Sequence, residues 1–375
     1  MFDCIVVGAG PAGGTAAYHL AKQGRSVVLV EKETLPRYKP CGGGISPQIA
    51  QWLDLDFSPV ISQKVDQIRF TWKLEDPVEA VIDTPEPMWM VKRDEFDHFL
   101  VQQAQAQGAE LQAGTPVTGL EFKTDHWQVQ TPKGPIFGRY IIAADGGGGP
   151  MAPWLGFKKP KVRQACTLEI PSPPETGQLS QFEFGLLKNG YLWNFPKRDG
   201  FSFSAATLIG GNPRQPQEIL TTYAQFFNLD PRLGQFHNAS LVVWEGQQKL
   251  HTRHALLAGE TAGLVDPFTA EGVRPAVLSG RRAAEAVLGA LGGESQALAQ
   301  YSDQIHQEWG SDMAWAQRIS GIFYRVAGFG YQIGVKRDSA RARMGKILCG
   351  ELRYGDVANR AVKLLGSKLI PGLGR

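Results

Sequence analysis

The sequence predicts an α/β fold with an interleaved, mainly antiparallel sheet domain and a helical C-terminal region, on three observations. A short apolar run, Asp3-Cys4-Ile5-Val6-Val7, leads through a glycine-rich turn into a helical stretch. Segments of alternating polarity, such as Ser180 to Leu187 and Phe201 to Ile209, recur within residues 161–250. Beyond residue 291 apolar residues fall at helical spacing, as in Val357, Ala361, Leu364 and Leu365. The chain has 375 residues, 43% of them hydrophobic, with 39 Lys and Arg against 36 Asp and Glu, which excludes disordered and fibrous classes.

The N-terminal run is too brief for a helix and reads as a strand. Gly8 allows the tight turn after it, Gly10 admits a pyrophosphate close to the backbone, and Gly13 lets the following helix pack closely. Pro11 and Ala12 open that helix, whose free N–H groups and dipole favour an anion. Gly24 stops the helix, and Ser26 to Glu31 reads as a buried parallel strand. Glu31, followed by Lys32, lies about 20 residues beyond the glycines, where a carboxylate accepts ribose hydroxyls. This is a Rossmann-like unit, and the acid favours an unphosphorylated adenosine ribose, as in FAD or NAD.

Two later segments select between these. Arg139 to Gly149 forms a short strand ending at Asp145-Gly146, and the stretch from His254 runs from a strand through Gly259, Pro267 and Gly272 into a small-residue helix. With the N-terminal motif and Val91-Lys92-Arg93-Asp94-Glu95-Phe96-Asp97, they resemble the FAD-binding family that includes aromatic hydroxylases, lycopene cyclases and geranylgeranyl reductases. The resemblance covers most of residues 1–290. It implies one FAD held by a Rossmann-like FAD-binding domain, with Arg93, Asp145, Gly146, Gly259, Glu260, Gly263, Gly272 and Val273 among its contacts. Two departures stand out: Glu260 replaces the family's Asp, and Gly147-Gly148-Gly149-Pro150 replaces a segment with Ser and Arg. No second nicotinamide-type glycine motif occurs, so NAD(P)H or a reduced redox protein is expected only as a transient electron donor.

The loop Pro36 to Gly44, containing Cys41-Gly42-Gly43, and the segment Tyr191-Leu192-Trp193-Asn194-Phe195-Pro196 both resemble the geranylgeranyl reductase branch. The resemblance places Cys41, Gly42 and Gly43 by the flavin ring and Tyr191, Trp193, Phe195 and Pro196 in an isoprenoid pocket. Independently, Tyr191, Trp193 and Phe195 alternate onto one strand face, an apolar wall suited to a hydrocarbon or to a core. Cys41, Gly42, Gly43, Tyr191 and Trp193 are the candidate catalytic group; the thiol could donate a proton, modulate the flavin or simply fit. Arg37 and Lys39 are candidates for a substrate diphosphate.

The expected domains are 1–64, 91–160 and 251–290 for FAD, 65–90 and 161–250 for a substrate-binding sheet, and 291–375 as a helical basic region. Residues 331–375 carry ten Lys and Arg against three acids, net +7, which suits an acidic redox protein or an anionic membrane surface. Nucleic acid is not expected, since no stacking platform accompanies the charge. The four cysteines lack metal-ligand spacing, so no metal site is expected, and a reducing, cytoplasmic setting is, with peripheral membrane contact. The expected function is saturation of C=C bonds in a geranylgeranyl or related polyprenyl chain by reduced FAD. Alternatives are a flavin monooxygenase acting on an aromatic or quinone-like ring, and a non-catalytic FAD-binding assembly factor.

Overall fold

A computed structural model of the chain describes residues 1–172, 179–211 and 214–359. Of the C-terminal features expected above, Arg360, Ala361, Lys363, Leu364, Leu365, Lys368 and Arg375 lie outside the described residues. The central eight-stranded sheet runs in the order His251–Thr252, Ala255–Leu257, Ile136–Ala143, Phe2–Val7, Val27–Val30, Glu110–Gln112, parallel except at the His251–Thr252 edge, with Trp127–Gln130 pairing antiparallel to Ile136–Ala143 and to Gly119–Phe122. Cys4 to Val7 and Val27 to Val30 are buried throughout, which is why they read as unbroken apolar runs. Gly8, Glu31, Asp145 and Gly259 all follow the carboxyl ends of these strands, where a doubly wound sheet binds its ligand.

The helix Pro11–Lys22 starts with proline in its first turn and is stopped at Gly24, whose φ of 69° an ordinary side chain resists. It packs between Arg93–Ala106 and the long helix Val273–Leu291. The approach to the latter is set by Gly280, since a Cβ there would sit 2.3 Å from the Ala12 carbonyl oxygen.

A seven-stranded sheet stands over the carboxyl ends, in the order Gln235–Leu241, Arg163–Pro171, Gly200–Thr207, Gly190–Lys197, Ser180–Phe184, Gln67–Trp72, Glu75–Val81. All its pairs are antiparallel except Ser180–Phe184 with Gln67–Trp72. One face packs under helix Pro216–Phe226 through Cys166, Leu168, Leu192, Phe203 and Tyr223. The opposite face, with Phe182, Tyr191 and Phe195, joins the main core. Gly44–Ile45, Met88–Val91 and Ile61–Val65 form a small third sheet bridging the two. The C-terminal helices begin at Ala297 and close the structure against Phe268 and Phe184. No described helix is long and apolar enough to cross a membrane.

Gly280→Ala should lower stability by about 1–3 kcal/mol, because the two helices must separate although alanine is the better helix former. Gly148→Ala, where an added Cβ meets nothing within 4 Å, should stay within about 0.5 kcal/mol of the parent. Thermal denaturation of the two variants side by side checks the difference.

Candidate active site

A cavity of about 470 Å³ opens where the parallel strands end beneath the seven-stranded sheet, within the range of small-molecule sites. Gly8, Gly10, Pro11 and Ala12 line one end, with Glu31 and Lys32 beside them. Asp145, Gly146 and Glu260 line the side, and Gly272, Val273 and Ala276 the floor. Cys41, Gly42, Arg93 and Trp193 close the other end, and Ala165, Thr167 and Ala239 supply a wall of small side chains from the overlying sheet.

These residues fit FAD. An added Cβ at Gly10 would meet only Arg37 Nη2, at 3.9 Å, so its cavity side is open to a phosphate at the helix N-terminus. The Glu31 carboxylate is held in place by the Ala9 amide, which donates to Oε2 at 2.9 Å, and the Glu33 amide, which donates to Oε1 at 3.1 Å.

A buried charge chain links the two ends of the cavity. Arg37 bridges Glu31 Oε2 (3.3 Å) and Asp97 Oδ2 (2.9 Å), while Arg93 donates Nε and Nη2 to the same Asp97 carboxylate at 2.7 Å each. Asp97 is wholly buried. Arg93 also lies beside Cys41; burial opposes its charge, but Asp97 and Cys41 outweigh that and hold the guanidinium above its ordinary value. The Cys41 loop is pressed against the sheet, since an added Cβ at Gly42 would come 2.3 Å from Trp193 Nε1 and 2.9 Å from the Phe195 ring. Arg37, a sequence candidate for a diphosphate, is paired with two carboxylates, and both it and Lys39 line the cavity.

The departures near Asp145 and Glu260 explain each other sterically. Asp145 accepts from the Met151 amide (2.9 Å) and Thr261 Oγ1 (3.0 Å), and burial raises its carboxyl above the usual range. Glu260 Oε1 accepts from the Val242 amide at 3.0 Å. An added Cβ at Gly149 would fall 1.8 Å from Asp145 Oδ2, and one at Gly147 2.7 Å from Glu260 Oε1. The glycine run is the space that both carboxylates occupy.

The floor is a loop clamped from the C-terminal segment and from the strand Gly190–Lys197. Trp309 Nε1 donates to the Leu264 carbonyl (2.8 Å), Tyr324 to that of Phe268 (2.7 Å), Tyr191 to that of Thr269 (2.6 Å), and Tyr354 to Asp266 Oδ2 (2.8 Å). Glu271 in this loop pairs with Arg274 at 2.8 Å. Burial nonetheless pushes its carboxyl up to about 7, with Arg274 opposing and Asp266 adding to the rise.

Among the sequence candidates, Trp193 reaches the cavity, while Tyr191, Phe195 and Pro196 are packed into the sheet and its aromatic core. Tyr191 stacks at 5.9 Å on Phe182 and 6.2 Å on Tyr324. Gly13, Gly43, Gly259 and Gly263 stand behind the cavity wall: Gly13 and Gly43 sit against the carbonyls of Gly8 and Val91, and Gly259 against Ala12. Sequence reasoning missed Asp97 as the partner of both arginines and the tyrosine clamp; Arg93 and Asp97 at i and i+4 were the available signal for the first.

Asp97→Asn leaves two buried guanidinium groups without their carboxylate, so stability should fall by about 3–5 kcal/mol, read by urea denaturation, with faster FAD loss. For Glu271 the folded value lies above the ordinary 4.5. The native state therefore keeps a proton that the unfolded chain has lost, and stability falls as pH rises from about 4.5 to about 7, then levels. Glu271→Gln, neutral throughout, should flatten that fall by about one proton in denaturation at pH 5 to pH 8. The part due to Glu183, also raised to about 7 by burial, should remain.

Residues 1–203 of the 375 match the family model described as FAD binding domain. Over 316 residues the chain is 28% identical to digeranylgeranylglycerophospholipid reductase 1 of Methanothermobacter thermautotrophicus, covering 76% of this chain and 77% of that one. The fold superposes with a TM-score of 0.77 on a geranylgeranyl bacteriochlorophyll reductase-like protein of Thermoplasma acidophilum, at 21% identity over 93% of this chain and 91% of that one. It also superposes, at 0.70 and 18% identity, on the flavin-dependent brominase Bmp2, over 98% and 99% of the two chains, so reductase-like proteins and a halogenase share this architecture. The chain belongs to the FAD binding domain family of flavin-dependent oxidoreductases, with geranylgeranyl reductases among its homologues.

Proposed function

We propose that the chain is an FAD-dependent reductase that saturates C=C bonds of a geranylgeranyl or related polyprenyl chain. The observation that carries this reading is the meeting of Cys41, Gly42 and Trp193 at one end of a cavity whose other end is a dinucleotide cradle. Gly8 to Ala12 would hold the pyrophosphate, Glu31 the adenosine ribose, and Gly272 and Val273 the flavin side opposite the cysteine loop. Reduced FAD, when bound, supplies the hydride.

An isolated trisubstituted alkene is a poor hydride acceptor, so the protein must fix its approach and provide a proton. Trp193 offers an indole face to the apolar chain, and the small side chains Ala165 and Ala239 leave width opposite it. Tyr191 and Phe195 act one layer back, Tyr191 by fixing the floor loop at Thr269 and Phe195 by bracing the glycines beside Cys41. Cys41 Sγ, beside Arg93 and accepting from the Gly43 amide at 3.4 Å, is the atom at which a proton would be held. The electron donor in this reading is transient, NAD(P)H or a small acidic redox protein, and the setting cytoplasmic.

The test is anaerobic. Chemically reduced holoprotein mixed with geranylgeranyl compounds should reoxidise its flavin while the product gains two hydrogens per step. Trp193→Ala should lose roughly tenfold or more in kcat/KM while retaining FAD, because a misplaced alkene lies off the reaction path. Flavin that stays reduced over unchanged substrate, and then reacts only with oxygen and an aromatic ring, would replace the reductase reading with a monooxygenase.

A further inference from the structure

The C-terminal helices present two unlike faces. Along Ser311–Phe323 and the short helical turns Ala327–Gly330 and Tyr331–Val335, the inward residues are committed to the core. Phe323 packs edge-on against Phe184 (5.3 Å) and Phe268 (5.5 Å), Tyr331 donates to the Phe70 carbonyl at 3.1 Å, and Gly328 lies against Trp72. The outward residues are Ile322, Val326, Phe329 and Ile333, exposed by 68%, 50%, 65% and 44%. Single exposed apolar residues are ordinary. Here, however, four of the twelve exposed large hydrophobic residues described fall within one twelve-residue stretch, running from the end of Ser311–Phe323 through the turn at Val326 into the two short helical segments.

The charge around this face is mostly positive, although Asp76 of the neighbouring strand lies beside Gln332 and Lys336. Between Met313 and Arg343 the chain carries Arg318, Arg325, Lys336, Arg337, Arg341 and Arg343 and a single acid, Asp338. Lys336 pairs with Asp76, and Arg341 with Asp338, while Arg318, Arg325, Arg337 and Arg343 are exposed.

We propose that the Ile322, Val326, Phe329 and Ile333 face docks on an anionic lipid bilayer, the apolar side chains entering the headgroup boundary and the surrounding arginines pairing with lipid phosphates. Bulky apolar groups ringed by cations are what such an interface binds. A second copy of the chain is a poorer occupant, because two such faces would bring their arginines together. An acidic redox protein would use the cations but leave Ile322 and Phe329 without a purpose. The docked orientation would put lipid against Ile322, next in sequence to Phe323, which packs on the aromatic core behind Tyr191.

The surface can be tested without turnover, so its failure and that of the reductase reading are separable. FAD-loaded full-length protein should co-sediment with vesicles of mixed phosphatidylcholine and phosphatidylglycerol, less with phosphatidylcholine alone, and less as salt rises. Ile322→Ser with Phe329→Ser, both on the outer face, should weaken binding by roughly tenfold or more with FAD content unchanged. Arg325→Glu with Arg337→Glu should remove most of the salt dependence. Phe329→Trp should shift its emission to the blue on adding anionic vesicles. The proposal is overturned if the parent stays in the supernatant at low salt, if the serine variant binds as well as the parent, or if the face instead drives a concentration-dependent dimer that the serine variant abolishes.

Discussion

The site depends on one buried carboxylate. Asp97 takes three donors from two arginines, and each arginine carries its second contact to an opposite end of the cavity: Arg37 to Glu31, Arg93 to Cys41. Burying three charges is costly, and a packed apolar cluster could be as stable. What an apolar cluster cannot do is fix direction. Bidentate pairing with Arg93 sets the guanidinium plane, and the shared Asp97 ties the position of Glu31 to that of the cysteine loop.

The same logic of occupied space governs the other wall. Lengthening an acid by one methylene at position 260 requires somewhere for its oxygens to go, and here they go to the Val242 amide, over Gly147. A side chain at 147 or 149 would displace Glu260 or Asp145, so the glycine run is a steric consequence of those carboxylates. The change at 260 and the change after Asp145-Gly146 are thus one local solution, and the cavity keeps its acid-lined side.

What was legible in the sequence is what local pattern determines. Strand, glycine turn, helix and the acid at Glu31 are encoded within about thirty residues, as a βαβ unit must be, and the alternation of Tyr191, Trp193 and Phe195 fixes their shared face. Pattern does not say what lies opposite that face. Phe182, Phe184 and Tyr324 fill it beside Tyr191, so one aromatic of the three reaches the cavity. Arg37 and Asp97 are separated by 60 residues and Tyr354 and Asp266 by 88, and only packed tertiary structure brings such pairs together.

The C-terminal helices are accordingly part of the site and not an appendage to it. The floor loop has few regular backbone bonds of its own; its carbonyls at Leu264, Phe268 and Thr269 are satisfied by Trp309, Tyr324 and Tyr191, and its Asp266 by Tyr354. Buried carbonyls that lost these donors would have to move or find water. Asp312 extends the hold, accepting the Tyr354 and Gly355 amides, so the segment just before residue 360 is tied to the helix that carries Ile322. The same helix ends at Tyr324, whose hydroxyl donates to the Phe268 carbonyl, so its inner end and the cavity floor are directly bonded.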